Sequence, residues 1–116
     1  MLFGDNTRLR RVHGFDESEL RSMRIFLQGS VRTWCRDRKN QSFRASDLLG
    51  GANVNWQGTP LQPLFDHYFE RGHGDETYAI RQAGIAAGYL LKQVLARSNR
   101  RYRTEKGYTR MYRWID

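Results

Sequence analysis

The run RYRTEKGYTRMYRWI, Arg101 to Ile115, has the composition of two strands folded about a turn. Tyr, Thr and Trp favour extended backbone. They occur in Arg101–Thr104 and again in Tyr108–Ile115, on either side of Glu105-Lys106-Gly107, whose glycine suits a left-handed turn position. In the second strand Tyr108, Arg110, Tyr112 and Trp114 share one face, and Thr109, Met111, Arg113 and Ile115 the other. A two-stranded ribbon of this length is marginal alone, so one face must pack on another layer.

That layer is helical. From Asp75 to about Ser98, residues Ala79, Ala83, Ala86, Leu90 and Val94 recur at helical spacing behind a capping aspartate. Gly84 and Gly88 lie four apart on the same segment. Each costs about 1 kcal/mol relative to alanine inside a helix, which predicts a close helix or backbone approach to offset them. Gly72-His73-Gly74 breaks the chain before this helix. A shorter helix is expected from Thr59-Pro60, a capping hydroxyl followed by proline, to about Arg71, with Leu61, Leu64, Phe65, Tyr68 and Phe69 inward. Pro63 still falls in its first turn, where the missing N–H costs little.

Towards the N-terminus, Asp16 and Glu19 form a capping box for a long helix to about Lys39, with Phe15 and Leu20 as its hydrophobic staple. Its apolar stripe is Leu20, Met23, Leu27, Val31 and Trp34. Ser42–Ala45 reads as a brief strand, Asp47–Leu49 as one or two helical turns stopped at Gly50-Gly51, and Ala52–Gly58 as a loop over Trp56. The fold class is therefore α+β: a bundle of three to four helices, a short strand and a C-terminal β-hairpin. One domain spans 1–116, with residues 1–15 as an N-terminal arm.

Composition agrees with one small core. The chain has 116 residues, a net charge of +8, 39% apolar and 13% aromatic residues, and one cysteine. That excludes a disulfide framework and a thiolate zinc cage, and fits a reducing cytoplasm. No apolar run reaches the ~18 residues of a membrane span, and no signal peptide is expected. The positive charge is concentrated at the two ends: residues 1–45 carry a net +5, residues 46–96 a net −2 and residues 97–116 a net +5. Any electrostatic footprint should lie on the first and last elements. Arginine supplies 17 of the 20 cations, which suits bidentate phosphate contacts and equally a GC-rich coding sequence.

The run GIAAGYLLKQVLARSNRRYRTEKGYTRMYRWI, Gly84 to Ile115, is similar to the recognition-helix-to-wing passage of winged helix-turn-helix domains. In those an amphipathic helix with small residues leads through a leucine pair into basic strands ending in an aromatic-Arg pattern, here Tyr112-Arg113-Trp114. Ser42 to Leu49 also resembles that family's short strand entering its second helix. The likeness covers about 75 residues. It departs from the family in the insert of about ten residues, Gly50 to Gly58, and in the Asp75-Glu76 start of the helix that would face phosphates. A looser likeness, to small proteins of phages and mobile gene cassettes, attaches to no motif.

The resemblance implies double-stranded DNA as partner, with the helix after Asp75 in or against the major groove. Thr77, Tyr78, Arg81, Gln82 and, further on, Ile85 and Lys92 are expected on the face away from the core. Arg81 is placed to read guanine and Gln82 adenine. The plain alternative is a solvated helix face. On the hairpin Arg100, Arg101, Arg103, Lys106, Arg110 and Arg113 crowd together among Tyr102, Tyr108 and Tyr112. A polyanion would relieve their repulsion, although cations also guard exposed edge strands against aggregation.

His13, His67 and His73 have no usual ligand spacing, and Cys35 reads as a small core residue rather than a nucleophile. No phosphate-cradling loop, Ser/His/Asp set or carboxylate pair stands out, so neither an enzyme nor a cofactor or metal is expected. The leading expectation is a small DNA-binding regulator, dimeric or otherwise self-associating. The alternatives are a non-enzymatic homo-oligomeric interaction protein, whose aromatic anchors would be Trp34, Trp56, Tyr89 and Trp114, and a module that stacks RNA bases.

Overall fold

The computed structural model describes residues 1–49, 56–107 and 109–116. The elements run β1 (Leu2–Gly4), α1 (Glu17–Cys35), β2 (Ser42–Phe43), α2 (Ala45–Leu48), α3 (Gln62–Arg71), α4 (Glu76–Ala96), β3 (Tyr102–Lys106) and β4 (Arg110–Trp114). They form an α+β fold in which a four-stranded mixed sheet, ordered β1-β3-β4-β2, covers one side of the helices. The expected loop over 52–55, the glycine stop at 50–51 and the place of Tyr108 lie outside the described residues.

Local chemistry sets most of these boundaries. Asp16 accepts from the Glu19 N–H at 2.8 Å and Glu19 accepts from the Asp16 N–H at 3.2 Å, closing the capping box at the head of α1. Asp75 caps α4 by accepting from the Tyr78 N–H at 3.1 Å. Before α3 the sequence reading needs correction. Thr59 forms a preliminary turn, its hydroxyl donating to the Trp56 carbonyl and accepting from the Leu61 N–H, so the helix begins only at Gln62 with Pro63 in its first turn. Helix α1 also ends at Cys35, earlier than Lys39: the Arg36 N–H donates to the Thr33 carbonyl and the Arg38 N–H to the Cys35 carbonyl, which tightens the last turn, and Asn40 beyond it takes a left-handed φ of 67° and donates to the Trp114 carbonyl of the sheet.

The core lies between α1, α3, α4 and the inner face of the sheet. Met23, Leu27, Val31 and Cys35 from α1 meet Leu64 of α3 and Ala83, Ala87, Leu90 and Leu91 of α4. Phe43 joins the layers, its ring centroid 4.9 Å from that of Trp34 and 6.0 Å from that of Tyr112. The hairpin alternates as expected: Tyr102, Thr104 and Tyr112 are buried, whereas Arg101 and Arg103 are exposed. Its strands pair from Tyr102 opposite Trp114 to Lys106 opposite Arg110, so β3 runs two residues past Thr104 and the turn shifts accordingly.

The first residues are not simply an arm. Leu2, Phe3 and Gly4 pair in parallel with Tyr102, Arg103 and Thr104. Gly4 has a φ of 107°, and a Cβ there would collide with the Thr104 carbonyl oxygen. Beyond β1 the chain crosses to the helices, where buried Gln93 of α4 donates to the Arg10 carbonyl at 2.7 Å. Among the described residues no helix is long and apolar enough to cross a membrane.

Candidate anion-binding groove

The two fastenings of the N-terminal segment, at the sheet and at Gln93, hold Asn6, Arg8 and Arg10 beside α4. The hairpin end bearing Thr109 and Arg110 stands across from them, and α2 with Arg44 and Leu49 closes a further side. Together they enclose a groove of about 600 Å³ along the α4 face formed by Ile80, Arg81, Gly84, Ile85, Gly88, Tyr89 and Lys92. Six cations line it: Arg8, Arg10, Arg44, Arg81, Lys92 and Arg110. No carboxylate does so among the described residues.

The floor is apolar, built from Leu49, Trp56, Ile80, Ile85, Tyr89 and Tyr112. Gly84 and Gly88 open it. Among the described residues the expected close approach is absent, since a Cβ at either position would meet none of their atoms within 4 Å. The glycines therefore remove side chains from a concavity instead of admitting a neighbouring helix.

The charges are fixed by different means. Arg110 donates to the Asp5 carbonyl at 3.0 Å, which leaves its positive charge without a matching carboxylate in that bond. Arg10 lies 5.8 Å above the Tyr89 ring. Arg44 is 4.0 Å from the Asp47 carboxylate at an exposed site, where such a pair contributes little. Lys92, expected on the open face, is instead 9% exposed. Burial holds its ammonium below the usual lysine range, and repulsion from Arg110 and Arg10 adds to this. The correction has a packing cause. Towards its C-terminal end α4 is covered both by the bundle and by the N-terminal segment, so Leu90, Leu91, Lys92 and Gln93 are all buried in succession.

Of the expected contact residues, Arg81, Lys92 and Arg110 converge on this groove. Thr77, Tyr78 and Gln82 do not line it, and Tyr78 packs against Gly72. On the hairpin, Arg101 pairs with Asp116 at 2.8 Å and Arg113 with Glu105 at 3.4 Å, so two guanidinium groups already have carboxylate partners. Arg100 stacks on Trp114 at 4.4 Å. Arg103 and Lys106 stay exposed on the hairpin away from the groove lining. Sequence reasoning did not single out Arg8, Arg10, Arg44 or Gln93. The excess charge of residues 1–45 pointed towards the first three, and a glutamine beside the leucine pair of α4 was the available sign of the fourth.

His67 has a packing role, its ring 4.8 Å from Phe15 and set against Gly14, whose φ is 96°. Cys35 is buried, and desolvation raises its thiol above the usual range. No cluster of metal-ligating side chains occurs among the described residues. No protein-family model, curated protein or solved structure matches this chain.

Proposed function

We propose that this protein binds double-stranded DNA through the groove beside α4, in the manner of a small winged-helix-like regulator. The observation that carries the reading is the convergence of six cations from four separate segments on one concavity that no described carboxylate lines. Gathering like charges is unfavourable, and phosphates entering the groove would offset that cost and release counterions. The sheet order also supports the reading, since β2, β4 and β3 lie side by side after α1 and α4 with the hairpin end at the groove. Contacts then belong mainly to Arg8, Arg10, Arg81, Lys92 and Arg110. The outer face of the hairpin contributes less, because Arg101 and Arg113 are already paired.

Fluorescence anisotropy on a labelled mixed-sequence duplex tests this. Four phosphate contacts predict an affinity loss of about two orders of magnitude between 50 and 200 mM salt. Changing Arg8, Arg10, Arg81 and Arg110 together to alanine should flatten that slope. Changing Arg101, Arg103 and Arg113 should leave most of it. A folded protein that ignores duplex at 50 mM salt, or one that loses binding only with the hairpin set, overturns the proposal.

A further inference from the structure

The groove has two layers, and a polymer backbone explains only one of them. Phosphates require the cationic rim, but they give no reason for an apolar floor beneath it or for two helix-weakening glycines that open it. A volume of about 600 Å³ lies within the range of small-ligand pockets. Trp56 supplies a separate observation. It is 5% exposed and lines the groove, so an indole ring forms part of the floor. Tyr89 adds an aromatic wall, and the bare backbone at Gly84 and Gly88 leaves room for a flat body against α4. Lys92, Arg10 and Arg110 border the same space with no described carboxylate between them.

We infer that the groove floor is a nucleotide-class site, taking a planar heterocycle against Tyr89 and Trp56 while the rim cations hold its phosphate. The same chemistry reaches the site from two sources, a free mononucleotide or an unpaired base with its phosphate in a strand. The inference shares its cations with the DNA-binding reading, but it stands on the floor, which that reading does not use.

Titration calorimetry of the full chain at 50 mM salt with AMP, adenosine and inorganic phosphate separates the layers. AMP should bind at least tenfold more tightly than either fragment. The double change Gly84→Leu and Gly88→Leu fills open space with a better helix former, so circular dichroism should show a folded protein while AMP affinity falls at least tenfold. Tyr89→Ala, which removes the aromatic wall, should cost about fivefold. Competition by a single-stranded oligonucleotide assigns the site to a strand's unpaired base, and failure to compete assigns it to free nucleotide. If AMP binds no better than phosphate, or if the folded leucine variant keeps full AMP affinity, the inference fails. In that event duplex binding with its salt slope would still sustain the function proposed above, whereas AMP binding without duplex binding would remove that function and keep this site.

Discussion

Lys92 places an ammonium group at 9% exposure beside two guanidinium groups, and all three influences act against its charge. For a base whose pKa is lowered by folding, the native state binds its proton less tightly than the unfolded chain does. The resulting penalty is present at neutral pH and is relieved as pH rises from the lowered value towards the ordinary 10.5. Lys92→Met should therefore stabilise the protein at pH 7 by about 1 kcal/mol in urea unfolding while weakening duplex binding, the trade-off expected of a charge kept for a ligand. Tyr112 titrates with the opposite consequence. Burial pushes its phenol up to about 12 from 10.0, outweighing the lowering influence of Arg110. The unfolded chain ionises first, so the contribution is complete below pH 10 and is lost as pH rises towards 12. At pH 11 this amounts to about 1 kcal/mol. The fall in urea midpoint between pH 8 and pH 11 should be smaller in Tyr112→Phe than in the parent.

Among the elements, α4 gives the clearest division between what sequence carries and what it does not. Its start was legible because Asp75 is a capping residue placed ahead of a periodic apolar stripe, and the helix follows that chemistry. The capping box of α1 was legible for the same reason. Gly84 and Gly88 were not, because a glycine in a helix is equally compatible with a close neighbour and with empty space, and only the fold distinguishes them. Here no described residue lies within 4 Å of a Cβ placed at either position, which makes a simple forecast. Gly84→Ala and Gly88→Ala should each raise helix stability by about 1 kcal/mol, visible as an increase of several degrees in the melting temperature. Either substitution failing to raise it would mean that the backbone at that position is constrained by something other than α4 itself. The phase of Lys92 was misread because the apolar stripe describes one buried face, whereas the N-terminal segment buries a second one.

At the scale of the whole molecule, the segregation of charge to the two ends was visible in composition, but not that these ends converge on one side of α4. Arg8 and Arg10, Arg44, Arg81 and Lys92, and Arg110 sit on separate segments, each ordinary by itself, and only tertiary folding brings them together. Strand β1 was equally hidden. Three residues carry no readable alternation, and the partner that defines them lies one hundred positions along the chain. Gly4 holds that union, with a left-handed φ and a carbonyl occupying the place of its missing side chain. Gly4→Ala should cost about 2 kcal/mol or more in thermal unfolding, and duplex affinity should fall with it, because Arg8 and Arg10 are tethered from that point.

The parallel pairing of Leu2 with Tyr102 also dictates an order of events at the ribosome. Leu2–Gly4 finds no mate until the polypeptide has grown by another hundred residues. Joining so distant a pair carries a length-dependent entropy of roughly 4 kcal/mol, so the helices can collapse first and the amino-terminal strand docks as the closing step. Until then the basic residues just beyond it lack their fastening to the sheet, and a nascent chain would have the helix of the groove before it had the whole groove.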